Sequence, residues 1–203
     1  GDIEQGLAFS RDLIGFDVIT LMPSAAFVSA GGYHHHLGFN VVDMDAAIAK
    51  RCDRLPDFKL FAELPGAGPV FAPRLMAAFG EQRDRFDSAG AIQKYVGVAP
   101  VTERSGNKHW VHWRWACPTF LRQTFVEWAG ETIPRSFWAR AFYESHKAKG
   151  ATHNAAVRAL AFKWIRILYR CWVDKTPYDE SRYLNALQKR HAPLLKFAAS
   201  MPS

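Results

Sequence analysis

A chain of 203 residues in which 49% are apolar can fill the core of one substantial domain or two small ones, which excludes a disordered polymer. Its net charge of +7 is unevenly placed: residues 1–50 hold two Lys/Arg against six Asp/Glu, a balance of −4, and residues 51–203 hold 24 against 13, a balance of +11. The second part is the one suited to a polyanion, and with no apolar run of ~18 residues and no basic-then-apolar leader, neither a membrane span nor a signal peptide is expected.

Apolar positions Ile3, Leu7, Leu13 and Ile14 predict a helix stopped by Gly15, and residues 16–21 and 25–29 read as strands. Gly31-Gly32 turns the chain into Tyr33-His34-His35-His36. Side chains alternate along a strand, so His34 and His36 share a face and form the alternative candidate pair for a metal; exposed or packed histidines are the competing reading. From Asp43 the character changes. Met44, Ile48 and Cys52 keep helical spacing until Leu55-Pro56-Asp57 breaks it, and the domain boundary is placed at 41–43. Cys52, Cys117 and Cys171 are odd in number, far apart and without a C-x-x-C pair, which disfavours a disulfide framework or zinc knuckle and fits a reducing cytoplasm.

Residues 58–64 read as a helix, Pro65-Gly66-Ala67-Gly68-Pro69 as a turn and residues 70–79 as a second helix, the h-P-G-h-G pattern of a helix-hairpin-helix. In that geometry Gly66 and Gly68 let backbone N–H groups at the second helix's start approach a phosphate without reading sequence. A tight corner with no ligand fits the pattern equally. Gly80 closes the second helix, and another short one is predicted over 89–95.

The stretch from Val98 to Lys108 follows. Pro100 removes a backbone donor, Gly106 permits φ > 0 and Asn107 favours turns, so a loop is expected, with Ser105 exposed beside cations. A serine hydroxyl is a poor nucleophile unless its proton is taken or the developing charge is stabilised; Arg104, Lys108 and His109 are the groups at hand. A phosphate-contacting turn is the alternative. Between Trp110 and Trp115 the aromatics interleave with His112 and Arg114, a pattern suited either to stacking on bases or to burying tryptophans that anchor the loop. Its period does not decide between strand and helix.

Pro118 opens a helix whose stripe is Phe120, Leu121, Thr124, Phe125 and Trp128, with Arg122 off it, ending near Pro134. Another covers residues 136–149. Residues 154–172 carry the strongest periodicity in the chain, with Val157, Leu160, Ala161, Trp164, Ile165, Leu168 and Trp172 on one stripe. Lys163, Arg166 and Arg170 line another face, as solvated surface or as a track for a DNA strand. A short helix over 180–189 and a tail complete the chain.

The run GDIEQGLAFSRDLIGFDV…SAAFVSAGGYHHHLGFN resembles part of a glyoxalase or extradiol-dioxygenase module of the vicinal-oxygen-chelate superfamily, over residues 1–42. That resemblance implies an incomplete α+β fragment of βαβββ type, from a metal-dependent class of enzyme. The segments LPGAGPVFAPRLMAAFG, YVGVAPVTERSG, CPTFLRQTFVEWA, AFYESHKAKGATHNAAVRALAFKWIRILYRCW and TPYD are similar, in order and spacing, to the C-terminal domain of transposases of the insertion-sequence-110 family, grouped with 116 and 902. This covers residues 43–197 and leaves 198–203 as a tail.

The second resemblance implies a mainly α, DNA-binding domain acting in transposition. Ser105, the serine of P-x-x-x-x-S-G after Pro100, would be the nucleophile that joins covalently to a DNA phosphate. Arg104 and Lys108 are candidates to stabilise the phosphoryl charge, and Gly66, Gly68, Arg114, Lys163, Arg166 and Arg170 to contact the nucleic acid. Family members also hold magnesium through four acidic residues of an upstream RuvC-like domain and bind a structured RNA bridging two DNAs. Asp2, Glu4, Asp12 and Asp17 do not form that tetrad. The expectation is therefore a truncated domain that binds no cofactor alone, takes Mg²⁺ chemistry from an acidic domain supplied elsewhere, and is not autonomous. Self-association, a structured guide RNA and a bacterial, nucleoid-associated location complete it.

Overall fold

The computed structural model describes residues 17–22, 25–29, 37–40, 43–112 and 114–200. The chain divides into two compact units, residues 1–51 and 52–203, so the division follows the helix that starts at Asp43. In the first unit β1 (Asp17–Met22), β2 (Ala25–Ser29) and β3 (Leu37–Asn40) form an antiparallel sheet in the order β1-β2-β3, with an irregularity between Val18 and Thr20. Helix α1 (Asp43–Cys52) ends the unit. The helix expected before Gly15 and the histidines His34 and His36 lie outside the described residues.

The second unit is mainly α, the class expected from the sequence. It runs α2 (Phe58–Ala62), α3 (Gly68–Phe79), a 3-10 turn (Arg83–Arg85), α4 (Ala89–Tyr95), strands β4 (Val101–Ser105) and β5 (Lys108–His112), α5 (Thr119–Thr132), α6 (Phe137–Ala148), α7 (His153–Val173), α8 (Glu180–Lys189) and α9 (Pro193–Ala199). Helix α7 is the centre: at 21 residues it is about 30 Å long, and it packs against α4, α5 and α6. Thr152 caps it, its hydroxyl accepting from the Ala155 N–H at 3.3 Å. Its stripe from Val157 to Trp172 is buried, as the periodicity requires.

Four tryptophans fill the core, and each indole N–H has a partner on a remote segment. Trp128 donates to the Pro65 carbonyl at 3.0 Å, Trp138 to the Tyr178 hydroxyl at 2.6 Å, Trp164 to Thr132 Oγ1 at 2.9 Å and Trp172 to the Gly80 carbonyl at 2.7 Å. A buried donor left unpaired would cost about 1–3 kcal/mol, so these bonds fix which segments meet as well as filling space. Burial holds the Tyr178 phenol well above its ordinary range, so it stays a neutral partner for Trp138.

Arg83 adds a polar clamp. Both of its terminal nitrogens reach the Asp57 carboxylate, at 2.6 and 2.7 Å, while its guanidinium lies 4.8 Å from the Trp172 ring centroid. That hydrogen bond holds the Asp57 carboxyl below the usual carboxylate range. Two expectations change here. Phe120, assigned to the buried stripe of α5, is 57% exposed and lies beneath the Arg74 guanidinium, 5.3 Å from its centroid. The tail is partly helical: α9 packs on α6 and buries Ala198, because Leu194, Leu195 and Phe197 give its seven residues an apolar face.

Candidate nucleic-acid interface

The segment expected as a loop is a hairpin. Strands β4 and β5 pair antiparallel from Val101↔His112 to Ser105↔Lys108, closed by Gly106-Asn107 with φ +58° at Gly106. Pro100 precedes the first paired residue, so its missing donor costs no ladder bond, and Gly at the first turn position is what a two-residue hairpin closure of type II′ requires. Ser105 is exposed at the tip, as expected.

Register decides which groups can act together, since cross-strand partners share a face. Ser105, Lys108, Glu103, Trp110, Val101 and His112 are on one face; Arg104, His109, Thr102 and Val111 are on the other. The structure therefore brings Ser105 and Lys108 together and turns Arg104 away from the serine's face. The Glu103 carboxylate lies between two rings: Trp110 Nε1 donates to one oxygen at 3.1 Å, and His112 Nε2 is 3.0 Å from the other. The reading of Trp110 and Trp115 as buried anchors is overturned, because they are 46% and 80% exposed. A two-stranded hairpin, with no further strand beside it among the described residues, buries little on either face. Trp113 lies outside the described residues.

At the foot of the hairpin is a cleft of about 630 Å³. Residues 97–100, Val111, His112 and Arg114 form one side, and Phe142 of α6 with Ala155, Arg158, Ala159, Phe162, Lys163 and Arg166 of α7 the other. Among the described residues that line it there are four Arg/Lys and no Asp or Glu. Burial, and then the neighbouring Arg166, lowers the Lys163 ammonium below its usual range, and its Nζ lies 5.2 Å from the Phe142 ring centroid. Burial also lowers Arg158, helped by Arg122. Cations gathered at such cost are relieved by an anion.

The connections around the cleft are fixed. Gln93 donates to the Phe162 carbonyl at 2.7 Å, tying α4 to α7. Gly97 has φ +75°, and a Cβ there would collide with the Cys117 side chain, so the strands' entry and exit segments cross in close contact.

Arg170 lines a second cleft, of about 650 Å³, which shares Lys163 and Arg166 with the first and is walled across by Arg182 of α8 and Arg190 just after it, with Asp174 and Asp179 beside them. The Cys171 thiol in its wall is pushed up by burial to about 11 and stays protonated at neutral pH, which leaves it a poor nucleophile. Arg158, Arg182, Arg190, Glu103 and His112 were not singled out from the sequence as site residues. Arg158 carried a signal, standing four and eight positions before Phe162 and Arg166 on one helical face.

The two glycines of the α2–α3 corner have different surroundings. At Gly66, with φ +71°, a Cβ would stand 2.9 Å from the Glu131 carbonyl oxygen of α5; at Gly68, with φ +50°, nothing lies within 4 Å. Gly66 is thus a close-packing position, and Gly68 opens α3 toward solvent. Gly66→Ala is expected to cost about 1–3 kcal/mol and Gly68→Ala no more than about 1 kcal/mol. At roughly 2–4 °C per kcal/mol for a domain of this size, thermal melting of the two variants resolves the difference.

Among the described residues no three His, Cys, Asp or Glu are grouped to hold a metal ion. The magnesium that the resemblance implies is assigned to an upstream acidic domain, and the described residues of this unit offer no cluster that would fit it. Among the described residues no helix is long and apolar enough to cross a membrane.

Residues 58–144 match the transposase IS116/IS110/IS902 family, and the helical unit belongs to it. The chain is 32% identical over 157 residues to the IS117 mini-circle protein of Streptomyces coelicolor, covering 77% of this chain and 36% of that protein. It is 27% identical over 144 residues to the 42 kDa protein of insertion element IS900 of Mycobacterium paratuberculosis, covering 70% and 36%. The chain thus spans about a third of the length of these relatives. A separate match of 42 residues, 50% identical, is to the catechol-2,3-dioxygenase of Bacillus subtilis, covering 20% of this chain and 15% of that enzyme.

Proposed function

We propose that the helical unit is the DNA-binding, strand-joining part of a transposase, with Ser105 as nucleophile toward a DNA phosphodiester. The observation that carries this reading is the placement of an exposed Ser105 on a hairpin whose foot opens into a cleft lined by Arg114, Arg158, Lys163 and Arg166 without a carboxylate.

In the reaction, Ser105 Oγ forms a bond to phosphorus while the bond from phosphorus to one deoxyribose oxygen breaks, and the serine's proton is balanced by the proton the departing oxygen takes up. The hydroxyl of a second strand then reverses the step, releasing the serine and leaving the strands exchanged. Charge grows on the phosphoryl oxygens during both halves, and Lys108, on the serine's face, is placed to stabilise it. Arg104, on the opposite face, is suited to a neighbouring phosphate.

Salt titration of DNA affinity tests the cleft. Each phosphate contact contributes a slope of roughly −0.9 in log K against log salt, and Lys163→Ala or Arg166→Ala is expected to reduce the slope by about one. Binding indifferent to salt would overturn the reading. Structured RNA presents the same phosphates, and the titration repeated with an RNA hairpin tests that partner.

A further inference from the structure

We infer that the Ser105 face of the hairpin is a stacking platform for an unpaired base of the bound strand, with the Trp110 indole as its surface. The inference rests on the DNA-binding reading above and adds to it the state of the DNA at the reacting phosphate.

The described tryptophans are placed in two ways. Four are fully buried and hydrogen-bonded within the core, whereas Trp110 is 46% exposed and still held in orientation, its Nε1 donating to Glu103. Nothing in the core explains a fixed ring at the surface. Its surroundings favour an anionic partner: Lys108 shares its face, and the sole carboxylate between residues 101 and 112 is the one engaged by Trp110 and His112.

Position supplies the rest. The Glu103/Trp110 pair is the next same-face pair after Ser105/Lys108, about 7 Å along the strand at 3.3–3.4 Å per residue. A phosphate held at Ser105 and Lys108 therefore brings the adjoining nucleotide to the indole. Within a duplex both faces of a base are covered by its neighbours, so along the strand it is a base out of the stack that offers a face to that ring, and stacking of this kind tolerates any sequence. Glu103 is a positioning residue in this scheme, fixing the ring it does not itself stack on.

The test uses the full chain with a fluorescently labelled oligothymidine and a blunt duplex of equal length. Trp110→Ala is expected to weaken single-strand binding by roughly tenfold or more, the factor that ~1–3 kcal/mol of stacking per base provides, while duplex binding changes less than about twofold. The salt slope stays unchanged, because no phosphate contact is lost. Trp110→Phe, which keeps a ring, and Glu103→Gln, which loosens its orientation, should fall between, and circular dichroism confirms that the variants fold. Equal weakening toward both DNAs, or no weakening with wild-type DNA binding intact, overturns the platform and leaves the cleft standing. A shift in self-association on sizing without any effect on single-strand binding also overturns it, by making the ring a protein contact. Loss of all DNA binding in the wild type would instead defeat the reading on which it rests.

Discussion

Ser105→Ala is expected to abolish the covalent protein–DNA adduct while leaving DNA affinity within about twofold. The hydroxyl is the sole atom removed, and it lies at the tip of a hairpin, exposed and away from the core, so the fold has no stake in it. A covalent step has no substitute when its attacking atom is gone, whereas the cations proposed to hold DNA in the cleft stand on other elements. The measurement is denaturing electrophoresis of labelled element-end DNA incubated with the protein, Mg²⁺ and an acidic domain of a family member supplied in trans. Lys108→Ala should slow adduct formation by about 10²-fold, the scale for one preorganised stabiliser of developing charge, and Arg104→Ala much less. If the wild type binds DNA in this mixture and yields no adduct, or if the alanine variant yields the same amount, Ser105 is not the nucleophile.

The second large effect concerns stability. Trp164 lies 4.6 Å from Trp138, 5.1 Å from Trp128 and 5.0 Å from Tyr178 by ring centroids, is fully buried, and bonds Thr132. Trp164→Ala should cost about 3–5 kcal/mol, a large share of the ~5–15 kcal/mol that holds a domain together. At roughly 2–4 °C per kcal/mol the melting temperature should fall by about 6–20 °C. Trp115→Ala is the control, since that ring is 80% exposed and its loss should stay within about 0.5 kcal/mol. Comparable losses for both variants would mean that the α5–α6–α7 cluster is not the core.

Helix α7 was legible because its apolar period runs unbroken through the whole element, and α4 and α8 because their ends carry caps and breakers. The β4–β5 hairpin was read as a loop because Pro and Gly mark turns whether or not strands flank them. The sequence left Trp110 and Trp115 open between stacking on bases and anchoring the loop, and helical spacing put Phe120 on an apolar stripe, because hydrophobicity and period cannot tell a filled core from an exposed apolar surface. Ser105 and Lys108 were legible as neighbours in sequence; that Arg104 faces away from the serine depends on register, which only pairing reveals. The cleft was least legible, since Arg114 meets Arg158 and Arg166 through packing between elements far apart in the chain.

The Trp172 to Gly80 hydrogen bond joins positions 92 residues apart, and Phe79 beside it packs its ring on both Phe125 and Trp172. A ribosome delivers α3 long before it delivers α7, so the greasy side of α3 must wait, uncovered, for more than half of this unit to be synthesised. Nascent chains stalled or cleaved before Trp172 would offer that surface to chaperones and proteases, which ties the abundance of the finished protein to completion of its longest helix.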